Sequence, residues 1–429
     1  MNRHFSRTGD PQVRIARLPN GFTVVTEAMP HVATATIGVW VGAGSRHELP
    51  HEHGLSHLIE HMAFKGTARR TARQIAEDVE NVGGDINAAT STEHTSYTAR
   101  VLGENVDLAL DVLGDLLINS VFDTDELARE KGVILQEYAC VEDTPDDLVG
   151  DVFMETAFAG QAIGRPILGR PDTIQAFDPD AIRAFMAREY TPNRMVLAAA
   201  GAVEHDAIVA AAEATFGGLP AAEASEAAQA RYVGGEARLV RKLEQANILL
   251  GLPGCSFKDP RFYATHMFAQ VLGGGLTSRL WHEVRETRGL AYGIDAFHWP
   301  FLDCGLFGIG AGTSGTDAAE LIEVSIDCAR QATRDIEEVE VARGKAQLKV
   351  ALLAALETPA GRIERNARQL LAWGRVIPSE EVVARVDAVT TEAVRQAGAE
   401  LLAGEPTLAA IGPIRRLQPL QRIAARIHG

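Results

Sequence analysis

The chain has 429 residues, of which 46% are apolar and 23% charged. That is the balance of an ordinary globular protein, and it excludes disorder, collagen and coiled coil as whole-chain descriptions. Against 41 basic residues stand 57 acidic ones, a formal charge of −16, which argues against the broad basic footprint of a nucleic-acid binder.

At ~100–200 residues per domain the length predicts two or three domains. No run of ~18 apolar residues is free of charge, so no membrane span is expected. The opening MNRHFSRTGDPQVRIARL lacks the apolar core of a secretory signal. Cys140, Cys255, Cys304 and Cys328 are scattered without a CxxC pair, which reads as reduced thiols in a cytoplasmic protein.

In chain order, strand-like alternation marks 22–28, 34–42, 95–102 and 195–202. Helical periodicity marks 71–82, 104–118, 125–142, 180–188 and 204–216. Gly217-Gly218-Leu219-Pro220 and the Ala- and Glu-rich run after it predict a linker over 221–235. Beyond it, strands are expected at 237–243, 246–252, 291–298 and 304–311, and helices near 261–272, 277–288, 316–333, 336–356 and 380–402. The halves repeat weakly: GVWVGAGS answers ILLGLPGC, and ENVDLALDVLGDLL answers TDAAELIEVSIDCA. The expectation is an α+β duplication, with domains over 1–220 and 236–429.

Residues 57–61 read His-Leu-Ile-Glu-His. On a helix, His57 and His61 project from one face with Glu60 beside them. Two imidazoles at that spacing suit a tetrahedral zinc, which in a catalytic site takes a third protein ligand and leaves one position to water. An adjacent carboxylate can take that water's proton. On spacing alone, the same residues also read as the polar face of an amphipathic helix. Leu55, Leu58, Ile59 and Met62 give the helix an apolar side. His51 and His53 lie just upstream, in a loop between Pro50 and Gly54, and offer alternative ligands. Glu130 and Glu137 share a face of the 125–142 helix, whose Val133 and Ile134 are expected to be buried. Spacing leaves both acids equally readable as solvated.

The order of motifs (HLIEH with AFKGT, then GGDINAATSTEHTSY, then REKGVILQE, then SRLWHEVRETRGLAYGI) resembles the M16 metallopeptidases, in particular the processing-peptidase β-subunit type and its bacterial relatives. The resemblance runs from about Arg14 to past residue 400. It implies two homologous domains of mainly antiparallel sheet packed with helices, one half of a clam-shaped chamber. It implies one Zn²⁺ per chain, with His57, His61 and Glu137 as ligands. Glu60 matches the general base, and Glu130 an acid that supports a ligand histidine. Arg285 and Tyr292 match a pair that steadies the scissile peptide and the tetrahedral intermediate.

Asn87, Ala88, Ala89 and Thr90 match an edge strand that takes a peptide by β-addition. Read without the resemblance, they form an ordinary Gly-punctuated strand. Phe64 matches a residue lining the pocket after the scissile bond. Asp147 and Asp151 stand where processing peptidases carry acids that bind a substrate arginine, although they also read as a solvated helix end. The expected activity is hydrolysis of internal bonds in unfolded or basic, presequence-like peptides. The expected assembly is a homodimer, with a heterodimer with a second M16 chain as the alternative. A non-catalytic scaffold and a hydrolase of non-peptide substrates are the competing readings.

Overall fold

The computed structural model describes residues 6–7, 12–222 and 227–429. Residues 223–226 of the expected 221–235 linker lie outside the described residues. In chain order the elements are β1 (Ser6–Arg7), β2 (Val13–Arg17), β3 (Thr23–Ala28), β4 (Thr34–Val41), α1 (Leu55–Ala63), α2 (Ala72–Glu80), β5 (Asp85–Thr90), β6 (Thr95–Leu102), α3 (Val106–Asn119), α4 (Thr124–Asp143), α5 (Pro145–Ala157), α6 (Pro171–Ala176), α7 (Pro179–Glu189), β7 (Met195–Gly201) and α8 (His205–Phe216). Then come β8 (Gly235–Val240), β9 (Ala246–Gly254), α9 (Phe262–Gly273), a π-helical turn (Trp281–Thr287), β10 (Ala291–Pro300), β11 (Gly305–Thr313), α10 (Ala318–Asp335), α11 (Glu338–Ala354), α12 (Pro359–Trp373), α13 (Ser379–Asp387), α14 (Thr391–Leu402), β12 (Thr407–Gly412) and α15 (Leu420–His428).

Two compact units emerge, and they interleave in sequence. The first comprises Met1–Tyr138, Pro166–Ala228 and Leu352–Ser379; the second comprises Ala139–Arg165, Gln229–Ala351 and Glu380–Gly429. Helix α5 therefore belongs with the second unit and α12 with the first.

The first unit carries a seven-stranded sheet in the order β1-β2-β3-β7-β4-β6-β5. Its pairs are antiparallel apart from β3 with β7. Successive side chains of a strand point to opposite faces. On one face Val24, Ile37, Val39, Tyr97 and Leu197 pack with Leu55, Leu58 and Met62 of α1, Leu113 of α3 and Phe216 of α8. On the other, Val25, Trp40, Val196 and Ala198 pack with Ile363, Ala367 and Leu370 of α12. A strand covered on both faces needs no polar alternation, which is why MVLAAAG is apolar throughout. Glu27 on β3 is fully buried, and Arg362, Arg365 (3.2 Å) and Asn366 (2.9 Å) of α12 converge on its carboxylate.

The second unit repeats the plan with a five-stranded sheet, β10-β11-β9-β12-β8, in which only β12 with β8 is parallel. Ile248, Leu250, Leu408 and Ala410 face α9, α10 and α14. Ala409 and Ile411 face Leu148, Val149 and Phe153 of α5. A Cβ on Gly251 would lie 2.2 Å from the Phe153 ring, so glycine at this position lets the helix seat.

Several elements differ from those expected. The 380–402 stretch is two helices, because the Thr390 hydroxyl accepts from the Ala393 N–H and starts α14 afresh. Helices α5 and α12 and strand β12 were not among the expected elements, although the buried Ile363, Ala367 and Leu370 recur at helical spacing along α12. Val133 is 40% exposed, and on α4 the buried residues are Leu127, Glu130 and Ile134.

Candidate metal centre

Helix α1 begins at Gly54, whose φ of 94° is left-handed; a Cβ there would lie 2.7 Å from the Cα of Gly169. Glu48, buried beside it, accepts from the N–H groups of Gly54 (2.9 Å) and Ser56 (2.7 Å) and so satisfies donors that the helix start leaves free. Leu55, Leu58, Ile59 and Met62 anchor one side of α1 in the core. The other side carries His57, Glu60 and His61, all partly buried.

Against this face lies α4. The His57 and His61 nitrogens and a Glu137 oxygen all lie within 4.8 Å of one another. Glu137 Oε2 is 3.8 Å from His57 Nε2 and 3.6 Å from His61 Nε2. Those gaps are too long for hydrogen bonds. They are close to the spacing of tetrahedral zinc ligands, which at about 2.0–2.1 Å from the metal stand about 3.3–3.4 Å apart. Burial, then the neighbouring His61, pulls the His57 pKa down to about 4, so its imidazole is neutral near pH 7 with a lone pair to give. The donor set of two imidazoles and one carboxylate fits a zinc ion.

Glu130, 6% exposed, sits behind His61. Its Oε2 accepts from His61 Nδ1 at 3.0 Å, and its Oε1 pairs with Lys65 Nζ at 2.7 Å. A carboxylate only accepts, so Nδ1 carries the His61 proton and Nε2 keeps its lone pair on the Glu137 side. Lys65 was not singled out by the sequence; its position four residues after His61 was the available signal. The buried Nδ1 of His57, by contrast, has no hydrogen-bond partner among the described residues.

The Glu60 carboxylate has no hydrogen-bond or ion-pair partner among the described residues. It bears electrostatically on Tyr97 and Tyr190, whose hydroxyls meet at 2.9 Å. Burial first, with Glu60 adding to it, raises both phenols, Tyr190 to about 12.

His51 and His53 stand apart from this cluster. His53 is buried against the Pro166 carbonyl (2.8 Å), while His51 is exposed. Phe64 caps α1 and packs partly buried against the core. Asn87–Thr90 lie on β5, the outer strand of the sheet, with Asn87 and Ala89 exposed, Ala88 buried and the Thr90 hydroxyl 3.3 Å from the Ser56 carbonyl. Asp147 and Asp151 lie on α5 in the second unit, Asp147 exposed and Asp151 partly buried. Arg285 and Tyr292 are also in the second unit, with the guanidinium carbon 4.7 Å from the Tyr292 ring centre.

Comparison with known proteins gives two consecutive family matches along the chain. Residues 23–171 match the family model described as Insulinase (Peptidase family M16), and 176–348 match Peptidase M16 inactive domain. An uncharacterized zinc protease of Streptomyces coelicolor is 38% identical, over 97% of this chain and 92% of its own. The uncharacterized zinc protease YmxG of Bacillus subtilis is 37% identical, over 92% of this chain and 97% of its own. Among solved structures, a peptidase M16 inactive domain from Pseudomonas fluorescens shares the fold with a TM-score of 0.87 at 21% identity, covering 95% of this chain and 99% of that one. A chain of Candida albicans complex III2 does so with a TM-score of 0.86 at 23% identity, covering 96% and 99%.

Proposed function

The chain belongs to peptidase family M16, and we propose that it is a zinc-dependent endopeptidase acting on unfolded or basic, presequence-like peptides. The observation that carries this reading is the convergence of His57, His61 and Glu137, with the unpartnered Glu60 carboxylate on the same helix face. The names of the relatives as zinc proteases support it.

In this reading His57, His61 and Glu137 hold one Zn²⁺ per chain. When bound, zinc supplies Lewis acidity at the scissile carbonyl and acidifies the attacking water. Glu60 takes the proton from that water and returns it to the leaving amine. The freedom of its carboxylate from other partners suits this double duty. Glu130 fixes the His61 tautomer. Asn87, Ala88, Ala89 and Thr90 offer an edge strand whose main-chain groups pair with a peptide. Phe64 lines the pocket after the scissile bond. Arg285 and Tyr292 donate to the peptide carbonyl, and Asp147 with Asp151 receives a substrate arginine. The assembly is a homodimer, which light scattering distinguishes from a heterodimer with a second M16 chain.

Metal analysis together with cleavage of a basic, internally quenched fluorescent peptide tests the reading. Wild type should hold zinc and cleave, and Glu60→Gln should hold zinc and not cleave. A zinc-free wild type, or equal cleavage by both proteins, sinks the proposal.

A further inference from the structure

The Arg285 side chain lies over two aromatic rings, not one. Its guanidinium carbon is 4.1 Å from the Trp281 ring centre and 4.7 Å from that of Tyr292. The backbone explains the arrangement. Residues Trp281–Thr287 form a π-helical turn, which brings positions four apart nearly into line. Gly289, at φ 64°, then reverses the chain so that β10 carries Tyr292 back over Arg285.

The charge environment is as distinctive. Arg279 is occupied by Glu340 (2.7 Å) and Asp335, and Arg288 by Glu283 (2.9 Å) and Glu320 (3.2 Å). Arg285, between them, has no hydrogen-bond acceptor among the described residues. Glu286 approaches its Nε only to 3.8 Å, beyond hydrogen-bond range. Tyr292 itself is 81% exposed, although a tyrosine with no role outside the fold gains by burial. A guanidinium whose faces meet aromatic rings and whose in-plane donors are all unused is prepared for an acceptor from outside the chain.

Building on the reading that Arg285 holds the substrate peptide, we propose that Trp281 is a positioning residue. Its ring, with that of Tyr292, sets the guanidinium plane so that the N–H edge faces a peptide carbonyl. Preordering a long, flexible side chain lowers the freedom lost when substrate binds. The two aromatic residues then have separable roles. Trp281 acts only through Arg285, whereas Tyr292 contributes a ring to the stack and a hydroxyl to the reaction.

The test measures binding of the basic fluorescent peptide by zinc-loaded protein carrying Glu60→Gln, so that binding is read without turnover. Trp281→Ala should weaken binding roughly tenfold, as Arg285→Ala should, in line with a partly desolvated cation–π contact. The double variant should be no weaker than Arg285→Ala alone. Trp281→Phe keeps an aromatic face and should stay within about twofold of the parent. Tyr292→Phe keeps the ring and loses the hydroxyl, and in the Glu60 enzyme it should lower kcat. Trp281→Leu carries the test if the alanine variant folds poorly. Additive losses in the double variant, or parental affinity in both Trp281→Ala and Trp281→Leu, overturn the proposal. Parental affinity in Arg285→Ala removes the reading beneath it, and is a separate result.

Discussion

Glu130 receives a donor on each carboxylate oxygen, His61 Nδ1 at 3.0 Å and Lys65 Nζ at 2.7 Å, in a setting only 6% exposed. Glu130→Gln keeps the shape and breaks this arrangement. If the new amide oxygen faces His61, its NH₂ confronts the Lys65 ammonium. If the oxygen faces Lys65, the NH₂ confronts His61 Nδ1, which must then give up its proton to accept. That moves the imidazole proton to Nε2 and removes the lone pair offered to the metal. Either way one charge-assisted bond is lost. Supporting residues of this kind are worth about 10–100-fold in metal affinity, or about 1.4–2.8 kcal/mol. The measurement is chelator competition for zinc at fixed ionic strength, with circular dichroism to show that the variant is folded. Glu130→Gln should release zinc to a chelator that the wild type resists. Affinity within twofold of wild type would refute the argument that this carboxylate sets the His61 tautomer.

Other consequences can be measured directly. Glu60→Gln should lower kcat by at least about 10²–10⁴-fold, the usual worth of a positioned acid–base, with zinc content unchanged by metal analysis. Glu27→Ala leaves Arg362 and Arg365 facing a buried gap and should cost the first unit about 3–5 kcal/mol, read by calorimetry as a lower first unfolding transition. Gly251→Ala drives a Cβ to 2.2 Å from the Phe153 ring and should destabilise the second unit by about 1–3 kcal/mol in urea unfolding. Burial, with His266 adding to it, holds the His298 pKa down at about 4 in the folded protein. Unfolding therefore takes up a proton below the ordinary value of 6.5, so this contribution is complete above that pH and fades as pH falls toward 4. Between pH 7 and pH 5 it should cost about 2 kcal/mol in chemical denaturation, and His298→Asn should flatten that slope.

How much of this was legible in the sequence varies with the kind of information each residue carries. His57 and His61 announce themselves because four-residue spacing on a helix is a local rule. Glu137 is legible only by resemblance, because nothing near it in sequence says that α4 lies against α1. Lys65 and Glu48 were not read at all. Each acts on a partner through a contact that the fold creates, and a lone Lys or Glu in sequence carries no mark of it. The strands of both sheets were largely visible where one face meets a continuous core. Helices α5 and α12 were not read, although Ile363, Ala367 and Leu370 of α12 keep helical spacing. Their burial depends on which sheet they cover, and each covers one built mostly from the other half of the sequence.

That exchange of α5 and α12 sets a clock on synthesis. The first unit has its whole sheet once residue 201 has been made, yet Val25, Trp40, Val196 and Ala198 have no cover until Leu352–Ser379 emerges. At about 5–20 residues per second, the roughly 180 residues from Gly201 to Ser379 take about 9–36 s. For that interval the nascent chain presents an apolar sheet face to its surroundings. A fragment that stops after the first sheet, however natural the break looks in sequence, keeps that face open permanently, and a stable half-protein has to be made by supplying α12 in trans.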